Sequence, residues 1–358
     1  MRDTLMAVGR QFGLPGTLSS YETIKQGNIN QTCRVTYHTD GGEKPYIFQK
    51  VNTHVFRNPE EIMENIDRVT AHIRQKCPGR PTVFFHRTAG GKNFTHDADG
   101  GFWRVMDYLD SVVFDSCDDP SVIRAAGKAF GEFQKQLADF DGSILHETIP
   151  EFHNTRRRLD TLFADARRNA AGRTTEVLAE LRRFRTYYKE ASALCDRFAA
   201  GEFPSRVTHN DTKANNVLFD RKTLQPLAVI DLDTVMPGMA MYDFGDAVRF
   251  LANTAAEDEP DTGKVALDIG KFTAFAEGFI GEVKDSLTPS EIDGMVQGAF
   301  SVTVELAARF LDDYLNGDVY FRTDYPEHNL VRARCQLRLA EDILSKTPQL
   351  QRIVRKIG

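Results

Sequence analysis

One segment of the chain, residues 207–250, concentrates acidic and amide side chains between short apolar runs. It reads VTHNDTKANNVLFDRKTLQPLAVIDLDTVMPGMAMYDFGDAVRF. A hydrophobic core does not select so many carboxylates, because a buried carboxylate costs free energy unless it is paired. We therefore expect the rest of the chain to fold around a chemically active site that this segment forms.

Two short apolar runs inside this segment predict a β-hairpin. Residues 217–219 and 227–230 have the composition of strands, and the turn-like residues 220–222 follow the first run. The hairpin would set two polar loops side by side. The side chains that these loops contribute are His209, Asp211, Lys213, Asn216, Asp231 and Asp233.

The two loops combine oxygen ligands with a separate carboxylate. Amide and carboxylate oxygens suit Mg²⁺, which phosphoryl-transfer enzymes hold by one or two protein groups and by the substrate phosphates. The two loops supply an Asn amide and Asp carboxylates of this kind. A carboxylate that does not bind the metal can accept a proton. The pattern His-x-Asp-x-x-x-x-Asn, with an apolar-Asp pair about twenty residues later, is typical of ATP-dependent phosphoryl transfer.

Several separated motifs point to one family. The chain resembles the aminoglycoside phosphotransferase and choline kinase superfamily, and within it the bacterial N-acetylhexosamine 1-kinases, from Gln26 to Leu339. The motifs that carry the resemblance are THNDTK-x-NN, IDLDT-x-MPG, FGD-x-x-RF, RFL-x-DYL-x-GD-x-YF and YPEHNLVR-x-R. Agreement at several places is more specific than a single signature.

The resemblance implies an α+β, two-lobed protein-kinase-like fold. A small lobe with an antiparallel sheet, residues 1–109, would bind the nucleotide, and a mainly helical lobe, residues 110–358, would carry the catalytic loop and the sugar site. A chain of 358 residues also exceeds what one hydrophobic core usually serves. The implied activity is the ATP- and Mg²⁺-dependent phosphorylation of the anomeric hydroxyl of an N-acetylhexosamine, GlcNAc or GalNAc.

The resemblance implies that Asn216 and Asp231 are the metal ligands and that Asp211 is the catalytic residue that accepts the proton. It also implies roles for further residues. Lys213, like the lysine two residues after the catalytic aspartate of protein kinases, is expected to neutralise charge on the moving phosphoryl group. His209 is expected to brace the catalytic loop, and Asp233 to support the metal ligands. Asp243 matches a buried aspartate that accepts backbone amides of this loop, so we predict a structural role for Asp243.

Three positions resemble the sugar contacts of the N-acetylhexosamine kinases: Asn28, where those kinases have a histidine, Arg309 and Tyr320. Asp211 and Asp231 are also expected to contact the sugar. Arg309 lies among helix-core residues, where an arginine must find a partner or face a cavity. The other interpretation of Arg309 is a structural salt bridge.

The nucleotide contacts are expected in the first lobe. Gly27 lies in a polar loop between two predicted strands, where the phosphate-covering loop of kinases belongs. In the third strand Gln49 occupies the position of the family's phosphate-pairing lysine, and Lys50, one residue later, would face the other side. Either Lys50 reaches the phosphates through a bulge, or Gln49 contacts them. Glu64 would be the ion-pair partner of a strand lysine.

The connection between the lobes follows two further predicted strands, residues 82–85 and residues 102–106. Met106 and Tyr108 lie at this connection, whose backbone would contact the adenine edge. Their side chains carry little information about the contact.

Composition restricts the partners. A net charge of −6 argues against a nucleic-acid partner, since a phosphate backbone requires a basic surface. No run approaches the roughly eighteen apolar residues of a membrane span, and the N-terminus lacks a signal-peptide core. Five scattered cysteines without a Cys-x-x-Cys pair indicate reduced thiols. We expect a cytoplasmic protein whose partners are ATP and an amino sugar, with neither nucleic acid nor membrane.

Two alternatives stay open. One is a kinase of another small molecule in the same superfamily, such as an aminoglycoside, choline or homoserine. Arg309 and Tyr320 favour a neutral polyol, whereas a cationic substrate would favour a carboxylate-lined lobe. The other is a nucleotide-binding pseudokinase, which only the departure at Gln49 suggests, and the intact catalytic and metal-binding residues argue against it.

Overall fold

The computed structural model describes residues 1–24, 29–79 and 82–358. It has the two-lobed α+β architecture that the sequence predicts. The first lobe contains a five-stranded antiparallel sheet with the strand order β1-β2-β3-β5-β4. Its strands are β1 (Thr17–Ile24), β2 (Gln31–Thr39), β3 (Gly42–Lys50), β4 (Thr95–His96) and β5 (Phe102–Asp107).

A helix covers each face of this sheet, because side chains alternate between the faces along every strand. Helix α1 (Arg2–Gln11) packs on the face that carries Tyr46, Phe48 and Trp103. The opposite face carries Phe102, which belongs to the same core cluster as the buried side chains of α2 (Pro59–Lys76). That cluster continues into the second lobe and so joins the two lobes.

The predicted strand at residues 82–85 is not formed, and this prediction is wrong. Phe85 makes one isolated bridge to Met106. The short strand β4 pairs instead with the beginning of the same β5 edge, through Thr95 and His96. Val83 and Phe85 are buried while Phe84 is exposed, so the side chains alternate between buried and exposed as in a strand. Because β4 already pairs with part of this edge of β5, residues 82–85 make only one bridge to it.

The second lobe is mainly helical around one large core. Its helices are α3 (Pro120–Gln136), α4 (Thr155–Arg168), α5 (Leu178–Ala199), α6 (Ala240–Leu251), α7 (Ile269–Val283), α8 (Pro289–Asp293), α9 (Met295–Leu315) and α10 (His328–Ile357). Helices α6 and α9 approach closely at Gly245 and Gly298, where a Cβ on either residue would clash with the backbone of the other helix. This packing fixes α6, which carries Asp243 and Asp246, against the core.

Two short strand pairs hold the active segment. Strand β7 (Val217–Phe219) pairs with β8 (Pro226–Val229), which confirms the predicted hairpin, and β6 (Arg206–Thr208) pairs with β9 (Met236–Gly238). The chain enters the second lobe just after β5. The backbone of Val112 exchanges two hydrogen bonds of 2.9 Å with that of Phe219 in β7. The predicted boundary at residue 109 lies between the end of β5 and this contact.

No helix within the described ranges is long and apolar enough to cross a membrane. The five cysteines are free thiols, as their scattered spacing predicts. Two of them, Cys33 and Cys335, are buried.

Candidate active site

Asp243, near the start of α6, supports the loop of residues 209–216, the candidate catalytic loop. One carboxylate oxygen of Asp243 accepts a hydrogen bond from the backbone amide of His209 (2.8 Å), and the other accepts from the amide of Asn210 (2.7 Å). The amide group of Gln134 donates a third hydrogen bond. Asn210 has a positive φ of 64°, and these contacts hold it there. The predicted structural role of Asp243 is confirmed.

A second carboxylate of α6, Asp246, supports the same loop, and the sequence reasoning did not assign it. It accepts a hydrogen bond from the backbone amide of Thr212 (2.8 Å) and forms a buried ion pair with Arg249 (2.7 Å). The hydroxyl of Thr212 donates to the backbone carbonyl of Asp243 (2.6 Å). The spacing of Asp243 and Asp246, three residues apart on one helix face, is the signal that could have identified this role.

His209 braces the loop, as expected. Its Nε2 lies 2.9 Å from the backbone carbonyl of Ile230, so this nitrogen carries the proton that the contact requires. The ring meets Phe130 and Phe133 edge to face, with centroids 5.7 and 5.8 Å away. His209 therefore joins the catalytic loop to the start of the Asp231 loop.

Asp211, Lys213 and Asn216 contact one another, and together with Asp231 they form the acidic region that we call the cleft. Lys213 Nζ is 3.0 Å from Asp211 Oδ1, and the Asn216 amide donates to Asp211 Oδ2 (3.1 Å) and to the Asp211 carbonyl (2.8 Å). Burial alone would raise the pKa of Asp211, but the charge of Lys213 and its hydrogen bond outweigh burial and lower it. In turn Asp211 raises the pKa of Lys213 to about 12. Both side chains are therefore charged at neutral pH.

Asp231 faces this group from the neighbouring loop. The backbone amide of Ile230 donates to the carbonyl of Asn216 (2.9 Å), which keeps the two loops adjacent. In the described part of the chain, neither a hydrogen bond nor an ion pair reaches the Asp231 carboxylate or the Asn216 Oδ1 atom. Burial raises the pKa of Asp231, and the negative charges of Asp233 and Asp211 raise it further. The side chain still reaches solvent, which screens these charges.

Asp233, two residues after Asp231, has a different environment. It is buried and forms a two-pronged ion pair with Arg104 of β5, at 2.5 and 3.0 Å. The side-chain amide of Asn30, which follows β1, donates to the same carboxylate (2.8 Å). Arg104 is a residue that the sequence reasoning missed, since nothing in the sequence of β5 indicates its partner.

A comparison with protein families gives the class of this site. A model described as the phosphotransferase enzyme family matches residues 20–277 of the chain. The chain belongs to this phosphotransferase family. The match includes the catalytic loop, the hairpin and the Asp231 loop.

Solved structures of other phosphotransferases share the fold. An aminoglycoside phosphotransferase from Alicyclobacillus acidocaldarius aligns with a TM-score of 0.62 at 12% identity, over 98% of this chain and 96% of that chain. A spectinomycin phosphotransferase in complex with ADP and spectinomycin gives 0.60 at 12%, over 98% and 99%. An ethanolamine kinase from Plasmodium vivax gives 0.53 at 14%, over 88% and 82%. These identities are low, so the likeness establishes the kinase-like fold.

Lys50 of this phosphotransferase lies away from the site. The pairs Gln49 with Arg104 and Lys50 with Trp103 continue the β3–β5 register without a bulge, so Lys50 points to the α1 face. Its ammonium contacts Asp97 (3.2 Å). Gln49 lies on the cleft side, where its Oε1 accepts a hydrogen bond from Arg104 Nε (3.0 Å). No bulge is present in the β3–β5 pairing, so the Lys50 side chain does not reach Asp211 and its neighbours.

The expected lysine partner, Glu64, has other contacts. Its carboxylate lies 3.3 Å from Arg68 and 2.7 Å from His146. Glu64 therefore links α2 to the second lobe, and in the described part of the chain it does not pair with a strand lysine.

The remaining nucleotide predictions fall at the connection between the lobes or outside the described residues. Met106 lies near the end of β5, opposite Ile47. Tyr108 follows β5, and the Arg34 guanidinium lies 4.3 Å from its ring centroid, so the connection is held against β2. Gly27 and Asn28 are outside the described residues.

Arg309 and Tyr320 meet at the C-terminal part of α9. The Arg309 guanidinium lies 5.2, 5.9 and 5.4 Å from the ring centroids of Phe152, Tyr320 and Phe321. Within the described ranges no carboxylate lies within ion-pair distance of Arg309, although its charge helps to lower the pKa of buried Glu305, one turn earlier on α9. The structure therefore does not support the salt-bridge interpretation. The Tyr320 side chain is exposed, but its backbone amide donates to the Asp313 carboxylate (2.8 Å), which fixes the segment.

No cluster of three or more His, Cys, Asp or Glu side chains able to hold a metal is found in the part of the phosphotransferase that the structure describes. The predicted set, Asn216 with Asp231, contains one carboxylate and one amide. Such a set is typical of magnesium that substrate phosphates complete.

Proposed function

We propose that this phosphotransferase is an ATP- and Mg²⁺-dependent kinase that phosphorylates the anomeric hydroxyl of an N-acetylhexosamine. The observation that carries the proposal is Arg309, whose guanidinium lies 5.2–5.9 Å from the centroids of three aromatic rings, with no carboxylate within ion-pair distance in the described residues. An arginine between aromatic rings offers hydrogen-bond donors beside apolar faces, and a neutral sugar presents hydroxyls beside apolar C–H faces.

Arg309 is connected to the catalytic loop through buried groups. Glu305, one turn earlier on α9, contacts His153 (2.9 Å), and the other ring nitrogen of His153 lies 3.2 Å from the carbonyl of Asn210. Asn210 directly precedes Asp211. This chain of contacts supports the assignment of Arg309 and Asp211 to a single substrate.

The residues at the cleft fit a magnesium ion. The Asp231 carboxylate and Asn216 Oδ1 are hard oxygen donors that the described residues leave without hydrogen bonds, and the neighbouring Asp233 and Asp211 add negative charge. When bound, Mg²⁺ supplies positive charge to the ATP phosphates. Asn216 would hold it through the amide oxygen and Asp231 through the carboxylate.

Asp211 is suited to accept the proton of the acceptor hydroxyl. Its lowered pKa keeps the carboxylate ionised, and the anomeric hydroxyl is the most acidic hydroxyl of the sugar. As the sugar oxygen forms its bond to the γ-phosphorus, the bond from phosphorus to the ADP oxygen breaks, and the sugar proton passes to Asp211. Lys213, 3.0 Å from Asp211, offers a cation to the moving phosphoryl group.

The alternative is another small-molecule acceptor. The spectinomycin and ethanolamine enzymes that share the fold carry the names of amine substrates. The carboxylates at the cleft would also attract a cationic acceptor. A cationic substrate gains nothing from Arg309, so this feature favours the sugar.

A substrate panel tests the proposal. The protein is incubated with Mg-ATP and, separately, GlcNAc, GalNAc, glucose, galactose, choline, ethanolamine, homoserine and an aminoglycoside, and ADP release is measured. The product is then analysed by NMR, where phosphorus coupled to the anomeric proton identifies a sugar 1-phosphate. Turnover only with amine acceptors, or a phosphate on another carbon, contradicts the proposal. Stabilisation by Mg-ATP without ADP release from any acceptor would favour the pseudokinase.

A further inference from the structure

Arg104 joins the two lobes through a buried ion pair. It lies on β5 of the first lobe, and both prongs of its guanidinium contact Asp233 of the second lobe. Each side chain is only 2% exposed. A buried pair of this kind is costly to break on one side, because the remaining charge has no partner.

Gln49 orients this arginine. The two residues are opposite each other on β3 and β5, so their side chains share a face of the sheet. The Gln49 amide nitrogen donates to the hydroxyl of Thr32 (3.1 Å), and its oxygen accepts from Arg104 Nε (3.0 Å). The departure from lysine at this strand position therefore has a physical reason: a cation already lies beside it.

Asp233 contacts two separate parts of the first lobe. Besides Arg104, it binds the side-chain amide of Asn30, whose oxygen accepts from the backbone amide of Asn52 (3.0 Å). Asp231, two residues earlier, has no such contact among the described residues. The loop is thus fixed at Asp233 and leaves Asp231 available for a ligand.

We propose that Arg104 is a positioning residue for phosphoryl transfer: by holding Asp233, it sets the location of Asp231 relative to the nucleotide-binding strands. Gln49 contributes to the same positioning, because it orients Arg104. The inference rests on the proposed phosphoryl transfer, and it does not depend on which acceptor is phosphorylated.

Arg104 is buried, and each of its guanidinium nitrogens contacts a protein group. Nε is used by Gln49, and the two terminal nitrogens are used by Asp233. One of these nitrogens also lies against the sulfur of Met63 (3.7 Å), and Phe85 covers the guanidinium with its centroid 5.0 Å away. Arg104 therefore acts through Asp233.

A double substitution distinguishes an effect on the position of Asp231 from an effect on the stability of the fold. Arg104→Met alone leaves the buried Asp233 charge unpaired and should lower Tm. Adding Asp233→Asn removes that charge and keeps an oxygen for Asn30, so Tm should recover. If Arg104 positions the loop, kcat of the double variant stays lower than that of the wild type by about 10²-fold, since small misplacements at a reacting centre have effects of this size. Recovery of kcat together with Tm would overturn the proposal.

Two further variants keep the test decisive if the methionine variant does not fold. Arg104→Lys retains a charge but cannot contact both Asp233 and Gln49 in the same way, so it should fold with a reduced kcat. Arg334→Met, which breaks the Arg334–Glu180 ion pair (2.7 Å) between α10 and α5, is the matched control and should change Tm without changing kcat. An unchanged kcat in Arg104→Lys would contradict the proposal.

Gln49→Lys is the most specific variant. If a strand lysine were simply missing, Gln49→Lys would raise activity. Because Arg104 already lies 3.0 Å from the Gln49 side chain, we expect repulsion between the two cations and a lower kcat. A gain in kcat would overturn the proposal.

Nucleotide binding gives a readout that does not need an acceptor. ADP affinity is measured by calorimetry with Mg²⁺ and with a chelator. In the Arg104→Met/Asp233→Asn variant, the gain in affinity that Mg²⁺ gives should be lost, while Mg²⁺-free binding should match the wild type. An unchanged gain contradicts the positioning role. If the wild type phosphorylates no sugar, the sugar proposal fails, whereas this comparison still decides the role of Arg104.

Discussion

The His153 ring and the Glu305 carboxylate form a buried ion pair, with Nδ1 2.9 Å from Oε1. The other ring nitrogen lies 3.2 Å from the Asn210 carbonyl in the catalytic loop. Burial alone would lower the pKa of His153, but the charges of Glu305 and Asp246 and two hydrogen bonds raise it above its usual value. The pair links α9, which carries Arg309, to Asn210, the residue directly before Asp211.

This pair predicts how stability depends on pH. A histidine with a raised pKa in the folded state stabilises the fold fully below its unfolded pKa of about 6.5, and the contribution is lost as pH rises through the folded pKa. As the pH rises above about 6.5, we expect the Tm of the wild type to fall more steeply than that of His153→Gln.

Differential scanning fluorimetry across this range checks the prediction. The matched control is His38→Gln, since His38 contacts Glu43 at 3.2 Å but is 69% exposed, where solvent screens the charges. Its profile should follow the wild type. Parallel profiles for the wild type and His153→Gln would show that the buried pair does not titrate in this range.

Asp211→Asn should abolish most of the turnover. The amide keeps the size of the side chain but cannot accept the proton of the acceptor hydroxyl, and the loss of a general base reduces rates by about 10² to 10⁴. ADP binding, measured by thermal shift, should persist because Asn216 and Asp231 are unchanged.

The control for this experiment is Asp285→Asn, which makes the same chemical change at an exposed loop position after α7. It should leave kcat unchanged. Near-normal turnover in Asp211→Asn would remove Asp211 from its catalytic role.

The parts of the site that sequence predicts are those whose partners are close in the chain or repeated in a motif. The β7–β8 hairpin follows from two apolar runs and a short turn. The support by Asp243 follows from the motif that contains it. In both cases the local pattern is sufficient, because short-range geometry determines which groups meet.

The ion pair of Arg104 could not be predicted from a local sequence pattern. Its partner, Asp233, is 129 residues away, so the pairing depends on how two lobes pack. Lys50 is a different case, since strand alternation already indicated that Lys50 faces away from Gln49. The strand expected at residues 82–85 has the correct alternation of buried side chains, but pairing depends on competition for the edge of β5, which a local pattern does not contain.

The surroundings of two helix glycines predict opposite effects for their Gly→Ala substitutions. At Gly298 a Cβ would clash with the backbone of Met241, so Gly298→Ala should lower the free energy of unfolding by about 1–3 kcal/mol. At Gly281, within α7, nothing lies within 4 Å of the Cβ position. There the alanine favours the helix, and stability should rise by as much as about 1 kcal/mol.

Urea unfolding of both variants measures these changes against the wild type. Because α6 carries the two carboxylates that support the catalytic loop, Gly298→Ala should also reduce kcat. Equal stability of the two variants would mean that α6 and α9 can move apart at Gly298 with no loss of free energy of unfolding.

Arg309→Lys tests the proposed sugar site. Lysine keeps the charge but lacks the planar fork that can lie between three rings and donate several hydrogen bonds at once. We expect KM for the sugar to rise by about tenfold, corresponding to about 1.4 kcal/mol of lost binding, while KM for ATP stays unchanged. Arg322→Lys, at an arginine that is 85% exposed in the same segment, is the matched control and should behave as the wild type. A rise in KM for ATP instead would assign Arg309 to the nucleotide, and unchanged values for both substrates would leave the stacked arginine a purely structural role.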